Sequence, residues 1–383
     1  MPVQRVPRVL AIALAVTGTL AAPGLASAAG GGCQSWTGAQ PPSPGSTDNS
    51  LRGVTVLSAC NAWAVGFQFD TGASQTLIEH WNGSSWTVVP SSIPGAELSL
   101  LFSIRSVSPA NIWAVGQVQD ALGENHALIE HWNGTTWKAV PSPDPAGSQL
   151  DGVAVVSARD VWAVGSTFTG SRSRNLILRW NGRTWKQVPA PDPGSAADND
   201  YLTAVSASGP RDVWAVGQDI DSTTDKTVIL RWNGTRWSRV PSPNPETHND
   251  LSAVAATSPA NAWAAGTAIG GGLSSTLILH WNGRAWTRVR SPGGDAGTAS
   301  FLTGLAATTE RNVLAVGVLT TGSAGGTLVL RWTGSAWRRM PSPNLGPSSN
   351  NLFAVAASSA GNIWAVGTFR DGPVSRALAI HCC

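Results

Sequence analysis

The chain has 383 residues, a formal net charge of +3 and only 12% charged residues. This balance excludes the concentrated basic surface that nucleic-acid binding requires. An apolar content of 42% in a chain of this length excludes general disorder, because a large core can form.

The N-terminus predicts an export signal. Two arginines precede an apolar run over residues 9–20, and Ala26-Ser27-Ala28 has the form of a signal-peptidase site. The run is too short to span a membrane. We therefore expect a signal peptide over residues 1–28, a short linker over 29–32, and a secreted, extracellular protein with no membrane span.

A tetrapeptide close to Trp-Ala-Val-Gly recurs through the rest of the chain at spacings of 49 to 52 residues. Each copy follows a turn that ends on Asn or Asp. About 18 residues after its first position comes a segment close to His/Arg-Trp-Asn-Gly, and a further Trp follows three residues after that Gly. The copies begin at Trp63, Trp113, Trp162, Trp214, Trp263, Leu314 and Trp364.

Each repeat predicts four short antiparallel strands. The first is small and apolar, as in 251–256, the second carries the tetrapeptide, and the fourth ends at proline, as in 237–240. Asn-Gly between the third and fourth strands predicts a type I′ hairpin turn. Such a repeat is typical of a β-propeller blade. We predict an all-β, seven-bladed propeller with blades near residues 51–92, 100–143, 150–193, 201–243, 250–292, 301–343, and 351–383 plus 33–44.

The two chain ends are expected to share the last blade. Residues 33–44 contain Trp36 and a proline-rich segment, which match the fourth strand missing after the last repeat. Aligned on the first repeat, Cys33 and Cys383 occupy the two central positions of the open hairpin turn. The alignment predicts a Cys33–Cys383 disulfide in an oxidising compartment, with Cys382 as the alternative and Cys60 left over.

The Trp-Asn-Gly-x-x-Trp hairpin resembles the Asp-box of sialidase-like propellers. The repeats are similar to kelch and galactose-oxidase-like propellers, although the Gly-Gly doublet of those families is missing. They also resemble exported bacterial propellers with repeated Trp-Ala-Val-Gly and His-Trp-Asn-Gly elements, over residues 33–383. This resemblance implies the fold and leaves the activity open. The tyrosine pairs of copper–radical oxidases have no counterpart, because Tyr201 is the single tyrosine.

Two acidic residues break the repeat. Glu79 and Glu130 stand where the other copies have Leu or Ile. Paired carboxylates on neighbouring blades suit general acid–base catalysis. The alternative is that each carboxylate pairs with a nearby cation or reaches solvent.

A cluster of acids in the fourth repeat is the candidate metal site. We expect Asp200 and Asp221 to lie opposite each other at strand ends, which suits Ca²⁺ with its six to eight oxygen ligands. The alternative is a solvated polar loop, and no other cofactor is expected. The candidate ligands are Asp198, Asp200, Asp219, Asp221 and Asp225.

Polar residues before the first strands are the candidate ligand site. Because first strands converge on the propeller axis, these side chains are expected to ring one mouth of the channel and to bind a sugar or peptide. Asn and Asp also suit strand starts and turns for purely structural reasons. The candidates are Asn49, Asn199, Asn249, Asp250, Asn350 and Asn351.

The function predicted from the sequence is a secreted, monomeric, non-catalytic binding or scaffold module for extracellular carbohydrate or protein. One alternative is a secreted hydrolase or lyase acting at the channel mouth. Another is a multivalent lectin with one site per blade built on the repeated Trp, although packing between blades explains these Trp residues equally well.

Overall fold

The computed structural model describes residues 35–70, 72–93, 98–170, 172–191, 199–221, 223–294, 297–322 and 324–382. The predicted signal peptide (1–28) and linker (29–32) lie outside these residues, and so do Cys33, Asp198 and Cys383. The described residues form strands and turns. None of them belongs to a helix with the length and apolar character that a membrane crossing requires.

The strands follow one another in short segments. In chain order they are β1 (Thr37–Ala39), β2 (Asp48–Ser58), β3 (Asn61–Asp70), β4 (Ala73–Trp81), β5 (Trp86–Val88), β6 (Leu98–Ser108), β7 (Asn111–Gln119), β8 (Asn125–Trp132), β9 (Trp137–Ala139), β10 (Ser148–Ser157), β11 (Asp160–Thr169), β12 (Arg172–Trp180), β13 (Trp185–Gln187), β14 (Asn199–Gly209), β15 (Asp212–Ile220), β16 (Asp225–Trp232), β17 (Trp237–Arg239), β18 (His248–Ser258), β19 (Asn261–Gly270), β20 (Leu273–Trp281), β21 (Trp286–Arg288), β22 (Ala299–Thr309), β23 (Asn312–Thr321), β24 (Ala324–Trp332), β25 (Trp337–Met340), β26 (Asn350–Ser359), β27 (Asn362–Asp371) and β28 (Val374–Cys382).

These strands form repeated four-stranded antiparallel units. We number the units in chain order: unit 1 is β2–β5, unit 2 β6–β9, unit 3 β10–β13, unit 4 β14–β17, unit 5 β18–β21, unit 6 β22–β25, and unit 7 is β26–β28 with β1. One parallel residue pair joins units 1 and 2, and another joins units 4 and 5.

The N-terminal strand completes unit 7, as the sequence predicted. β1 pairs with β28 so that Thr37 lies opposite His381, which is the register of Thr87 and His80 in unit 1. Trp36 is buried in the core of units 6 and 7. Strands from the two ends of the described chain therefore share one sheet.

Each first strand contains a β-bulge near its middle. In unit 1 the pairing passes from Leu51–Gly66 to Gly53–Val65, so that Arg52 has no partner in the ladder. The bulge explains the Gly of the tetrapeptide, because a Cβ at Gly66 would overlap the carbonyl oxygen of Ser50. In each other unit, a Cβ on the equivalent glycine would overlap the equivalent carbonyl oxygen of its own first strand. These glycines are Gly116, Gly165, Gly217, Gly266, Gly317 and Gly367.

The Asn-Gly hairpins differ from the predicted type I′ turn. Trp81 pairs with Trp86, so the loop has four residues. Gly83 has a φ of 100°, whereas no described residue other than glycine has a positive φ. Asn82 Oδ1 instead accepts hydrogen bonds from Ser84 N at 2.9 Å and Ser85 N at 3.0 Å. The Asn side chain therefore organises a longer loop, and the two-residue turn was the wrong prediction.

Tryptophans hold neighbouring units together. Trp63 of unit 1 packs on Trp132 and Trp137 of unit 2, with ring centroids 4.9 and 5.7 Å apart. Trp364 of unit 7 packs in the same way on Trp81 and Trp86 of unit 1, at 5.0 Å each. Each of these aromatic contacts contributes about 0.5–1.5 kcal/mol beyond burial.

The His/Arg position of the repeat is matched to the turn residue before the tetrapeptide. In unit 1, His80 Nε2 lies 3.1 Å from Asn61 Oδ1, and its ring stacks on Trp63. In unit 3, Arg179 Nε donates to Asp160 Oδ1 at 2.8 Å and its guanidinium lies over Trp162. Burial lowers the pKa of His80, which favours a neutral ring beside Asn, whereas the cationic Arg of units 3 and 4 pairs with Asp. Unit 6 departs from this match, with Arg331 and Asn312 at the two positions.

The cysteines near the chain ends differ from Cys60. Cys60 is a free, exposed thiol, whereas Cys382 is buried and disulfide-bonded. Cys382 pairs with Ile363 in the ladder, where unit 1 has Trp81 opposite Ala62. The predicted pair, Cys33 and Cys383, lies outside the described residues.

We expect the disulfide partner of Cys382 to be Cys33. With Cys60 free, Cys33 and Cys383 are the remaining cysteines, and neighbouring Cα atoms lie about 3.8 Å apart, below the usual disulfide span of about 4.4–6.8 Å. Peptide mapping by mass spectrometry without reduction should find Cys33 linked to Cys382. Cys60→Ser should keep this peptide and Cys382→Ser should lose it. A Cys33–Cys383 link in the unmodified protein would contradict the assignment.

Candidate functional site

Three of the predicted mouth amides are buried and bonded to backbone. Asn49 Oδ1 accepts from Gly45 N at 2.7 Å, and its Nδ2 donates to Gly45 O at 2.9 Å and to Ser375 O at 3.1 Å. Asn249 and Asn350 repeat this pattern with the loops before them. These side chains fasten each incoming loop to the preceding unit, so we assign them a structural role.

The other three predicted mouth residues also lie within strands. Asn199 Oδ1 accepts from Ser173 N at 2.8 Å, and Asn351 Nδ2 donates to Ser349 Oγ at 3.3 Å. Asp250 accepts from Ser252 Oγ at 3.0 Å, and burial raises the pKa of Asp250. The first strands begin one to three residues before the predicted blade starts, because these polar residues take part in the ladder.

Two acids of the predicted Ca²⁺ site lie side by side but face arginines. Asp200 is opposite Asp219 in the β14–β15 ladder, whereas Asp221 was expected there. Asp200 Oδ2 lies 3.6 Å from Arg174 Nη1, and Asp219 Oδ2 lies 3.9 Å from Arg239 Nη2. Both carboxylates are buried, and the two guanidinium groups supply the positive charge that such carboxylates need.

The other acids of this set have separate partners. Asp221 caps the β15–β16 turn by accepting from Thr224 Oγ1, Thr223 N and Thr224 N, each at 2.7 Å, and these bonds lower its pKa. Asp225 Oδ2 lies 2.8 Å from His248 Nδ1. Asp198 is outside the described residues. Within the described ranges no three His, Cys, Asp or Glu side chains are arranged to hold a metal ion.

Glu79 and Glu130 are fully buried between units. Glu130 Oε1 accepts from Ser91 Oγ at 2.7 Å, Ser92 N at 3.1 Å and Ser92 Oγ at 3.0 Å. Glu79 has no hydrogen-bond partner among the described residues, and burial raises its pKa to about 9. Neither carboxyl group reaches solvent or a substrate, so the acid–base hypothesis for this pair has no structural support.

The repeat explains why the two glutamates differ. Glu130 is held by Ser91 and Ser92, which follow the fourth strand of unit 1. In unit 7 the fourth strand is β1, and its register places Pro41 and Pro42 at the equivalent positions. Proline offers neither a hydroxyl nor an N–H. Glu79 therefore lacks the donors that Glu130 has.

The repeats diverge at the bulge of the first strand. The residue before the bulge is Leu in every unit, whereas the bulged residue, eleven positions before the tetrapeptide, has no shared type. All the bulged residues line one cavity along the first strands. They are Arg52, Phe102, Asp151, Thr203, Ser252, Thr303 and Phe353. We call them the channel ring.

Two cavities lie in succession along the first strands. The channel-ring cavity has a volume of about 90 Å³ and is lined by residues from all units. A second cavity of about 190 Å³ is lined by later residues of the first strands, such as Thr55 and Ser206. Arg105 lines both cavities, so its side chain lies where they meet.

Arg52 is held over aromatic rings. Its guanidinium lies 4.0 Å from the centroid of Phe353 and 5.3 Å from that of Phe67. Its Nε is buried without a hydrogen-bond partner in the described structure. Burial lowers the pKa of Arg52, and the more distant Asp48 opposes this shift.

Arg105 is held by backbone oxygens. Its Nη1 donates to Ile104 O at 2.8 Å and to Val54 O of unit 1 at 3.4 Å. Burial lowers the pKa of Arg105. In the part of the chain that the structure describes, neither Arg52 nor Arg105 forms an ion pair with a carboxylate.

Asp151 is the acid of the channel ring. Both of its carboxylate oxygens accept from Gln149 Nε2 at 3.0 Å, and burial raises the pKa of Asp151 to about 7. An adjacent guanidinium would lower this pKa instead. Among the described residues no ion pair joins Asp151 to Arg52 or Arg105.

The channel ring was missed by the sequence analysis, although a signal for it exists. Aligning the repeats on the tetrapeptide gives a column, eleven residues earlier, in which Arg, Asp, Phe, Thr and Ser alternate. The average composition of the first strand is small and apolar, which hides this variable position. The bulge that turns this column toward the cavity has no sequence signature of its own.

The sequence matches no known protein family. No curated protein matches it either.

Solved structures with the same fold do match. A structure of YCF48 bound to D1 peptide has a TM-score of 0.55 and 14% identity, covering 92% of this chain and 98% of that one. An ulvan lyase of polysaccharide lyase family PL25, bound to a GlcA–Rha3S glycan, has a TM-score of 0.54 and 11% identity, covering 84% and 90%. The GH74 xyloglucanase from Xanthomonas campestris has a TM-score of 0.55 and 14% identity, covering 87% of this chain and 53% of that one.

These neighbours are β-propellers, so the repeated four-stranded units belong to a β-propeller fold. Sequence identities this low support a shared fold and no shared function. One neighbour is described with a peptide and another with a glycan, and the fold does not choose between them.

Glu79→Leu should stabilise the protein, by about 1–3 kcal/mol near neutral pH, because it removes a buried carboxyl group without a partner. Glu79 stays protonated in the folded protein up to about pH 9 but ionises above its ordinary value of 4.5 when unfolded. Rising pH across this window therefore favours the unfolded unmodified protein. Thermal melts at both ends of the window should show the larger gain at the alkaline end.

Glu130→Leu is the matched control. It leaves the Ser91 and Ser92 donors without their acceptor, so its melting temperature should rise less than that of Glu79→Leu, or fall. Equal gains from both substitutions would contradict the account based on Pro41 and Pro42.

Ca²⁺ should leave the melting temperature of the mature protein unchanged after EDTA treatment. The described acids of unit 4 already have Arg, His, Lys or backbone partners, so an ion would have to displace them. A rise with Ca²⁺ that the Asp200→Asn/Asp221→Asn variant loses would restore the metal hypothesis.

Proposed function

We propose that the chain is an exported, monomeric, non-catalytic binding or scaffold module, built as a closed seven-bladed propeller. It binds an extracellular carbohydrate or protein at the channel ring. Ring closure, export and ligand binding each have separate support.

Contacts between units support ring closure. Each first strand contacts the first strand of the next unit, and β26 of unit 7 contacts β2 of unit 1. The Trp364 contacts with Trp81 and Trp86 join the same two units. A cavity lined by every first strand fits a closed ring around an axis.

Export is supported by the N-terminal sequence pattern, namely two arginines, an apolar run and Ala26-Ser27-Ala28. The disulfide at Cys382 fits an oxidising compartment. The kelch-like, galactose-oxidase-like and Asp-box resemblances of the repeats remain part of this proposal, since the fold alone does not select among them.

The divergence of the channel ring carries the binding proposal. Repeat positions that serve packing carry the same residue in most units, as Leu51 and its equivalents do. The channel ring instead presents charged, hydroxyl and aromatic groups to one cavity. A site that needs different groups at each point of a ring suits an asymmetric ligand.

The Trp residues of the second strands are too buried to stack on a sugar, which weakens the lectin alternative. Trp63 and its equivalents in units 2, 3, 4, 5 and 7 are between 0 and 4% exposed, and they pack on tryptophans of the next unit. Leu314 occupies this position in unit 6. The repeated indoles of the second strands therefore serve packing between units.

A hydrolase or lyase remains the second candidate, because one observation favours it. Asp151 lies in the channel with a pKa of about 7, and a carboxyl group with a raised pKa suits a general acid or base. Asp151→Asn should abolish turnover of any glycan that the protein cleaves while binding persists. A protein that binds its ligand and never cleaves it would exclude this candidate.

The binding proposal is tested by blocking the cavity. We expect the mature protein to bind one ligand per chain on glycan or protein arrays, and Ser252→Trp to abolish binding by filling the channel ring. Thr287→Trp, on the exposed outer strand β21, adds the same side chain away from the cavity and should bind as the unmodified protein does. Equal binding by both folded variants would contradict a channel site.

A further inference from the structure

Two arginines in the channel have no described carboxylate in an ion pair, although Asp48 attracts Arg52 from a longer distance. Arg52 and Arg105 line the same cavity, and no described carboxylate pairs with either. The nearby acid, Asp151, is bonded to Gln149 and is close to half-protonated at neutral pH. Both arginines are half-buried, and a partly desolvated cation without an ion-pair partner favours the binding of an anion.

The repeat does not require either arginine. The equivalents of Arg105 in the other units are small: Thr55, Ala154, Ser206, Ala255, Ala306 and Ala356. The equivalents of Arg52 are the other members of the channel ring, none of them cationic. The two arginines come from adjacent units, and at the position of Arg105 the other units have small residues, some of which pack in the core.

Both guanidinium groups are fixed, with donors left over. Arg52 is held by the rings of Phe353 and Phe67, and none of its N–H groups makes a hydrogen bond within the described residues. Arg105 uses Nη1 for two carbonyl oxygens and keeps its other nitrogens. Planar groups held in this way suit the two oxygens of a carboxylate.

The wall formed by units 4 and 6 offers acceptors. Thr203 Oγ1 donates to Leu251 O at 2.6 Å, and Thr303 Oγ1 donates to Leu352 O at 2.6 Å. With their protons engaged, these hydroxyl oxygens accept hydrogen bonds from a ligand. The ligand should therefore carry hydroxyl donors as well as an anionic group.

We propose that Arg52 and Arg105 bind the carboxylate of a uronate, whose hydroxyl groups donate to Thr203 and Thr303. This inference rests on the proposed channel site and names its ligand class. The cavity has a volume of about 90 Å³, so the carboxylate end of the uronate and its adjacent hydroxyl groups enter the ring while the rest of the sugar stays outside it.

The test is isothermal titration of the mature protein with glucuronate, with glucose as the uncharged match. Glucuronate should bind, and glucose should bind at least about tenfold more weakly, because it lacks the charge that the arginines require. Arg52→Gln and Arg105→Gln should each weaken glucuronate binding by about tenfold or more. Arg105→Lys should retain part of the affinity through its charge.

Arg338→Gln is the control. Arg338 is exposed on the outer strand β25, and this substitution changes the net charge by the same amount as the two channel substitutions. It should bind glucuronate as the unmodified protein does, and melting curves should confirm that each variant is folded. Equal binding of glucose, tighter binding of inorganic sulfate, or binding unaffected in both folded Gln variants would overturn the uronate assignment. Binding of a neutral glycan or of a protein that Ser252→Trp abolishes would still support the channel site. The channel site and the uronate assignment can therefore fail separately.

Discussion

The packing of one tryptophan onto two tryptophans of the next unit is the contact on which the rest of the structure depends. This contact sets the distance and angle between neighbouring sheets. It begins with Trp63 of unit 1, which packs on unit 2, and ends with Trp364 of unit 7, which packs on unit 1. Where unit 6 has Leu314 instead, Trp36 from the N-terminal segment belongs to the same core. Because this packing lies away from the axis, the residues at the bulges are free to vary without loss of the core.

The place where the two chain ends meet departs most from the repeat. Cys382 stands in place of a tryptophan, and Pro41 and Pro42 stand in place of the serines that hold Glu130. Glu79, which belongs to unit 1, is therefore left buried and protonated. The expected link between Cys33 and Cys382 would limit separation of the end strands at this junction.

Arginines near the rim and arginines in the channel have different partners. Near the rim, Arg179 and Arg231 pair with Asp160 and Asp212, and the histidines of units 1 and 2 lie beside Asn, so these polar groups are matched within the repeat. In the channel, Arg52 and Arg105 have aromatic and carbonyl contacts but no carboxylate among the described residues. Asp200 and Asp219 lie near arginines, whereas no described carboxylate forms an ion pair with Arg52 or Arg105. The channel is therefore the stronger candidate for ligand binding.

Spacing and local pattern predicted the four-stranded repeat, the approximate positions of its strands and the sharing of the last sheet by β1. The Asn-Gly loop differs from its prediction, because pairing of Trp81 with Trp86 sets a longer turn. The sequence pattern also predicted a ligand site at Asn49, Asn249 and Asn350, because hydrogen-bond partners in a neighbouring sheet cannot be read from local sequence. The bulges that turn Arg52 and its equivalents toward one cavity were not predictable either, since that arrangement requires all the first strands to come together in the folded chain.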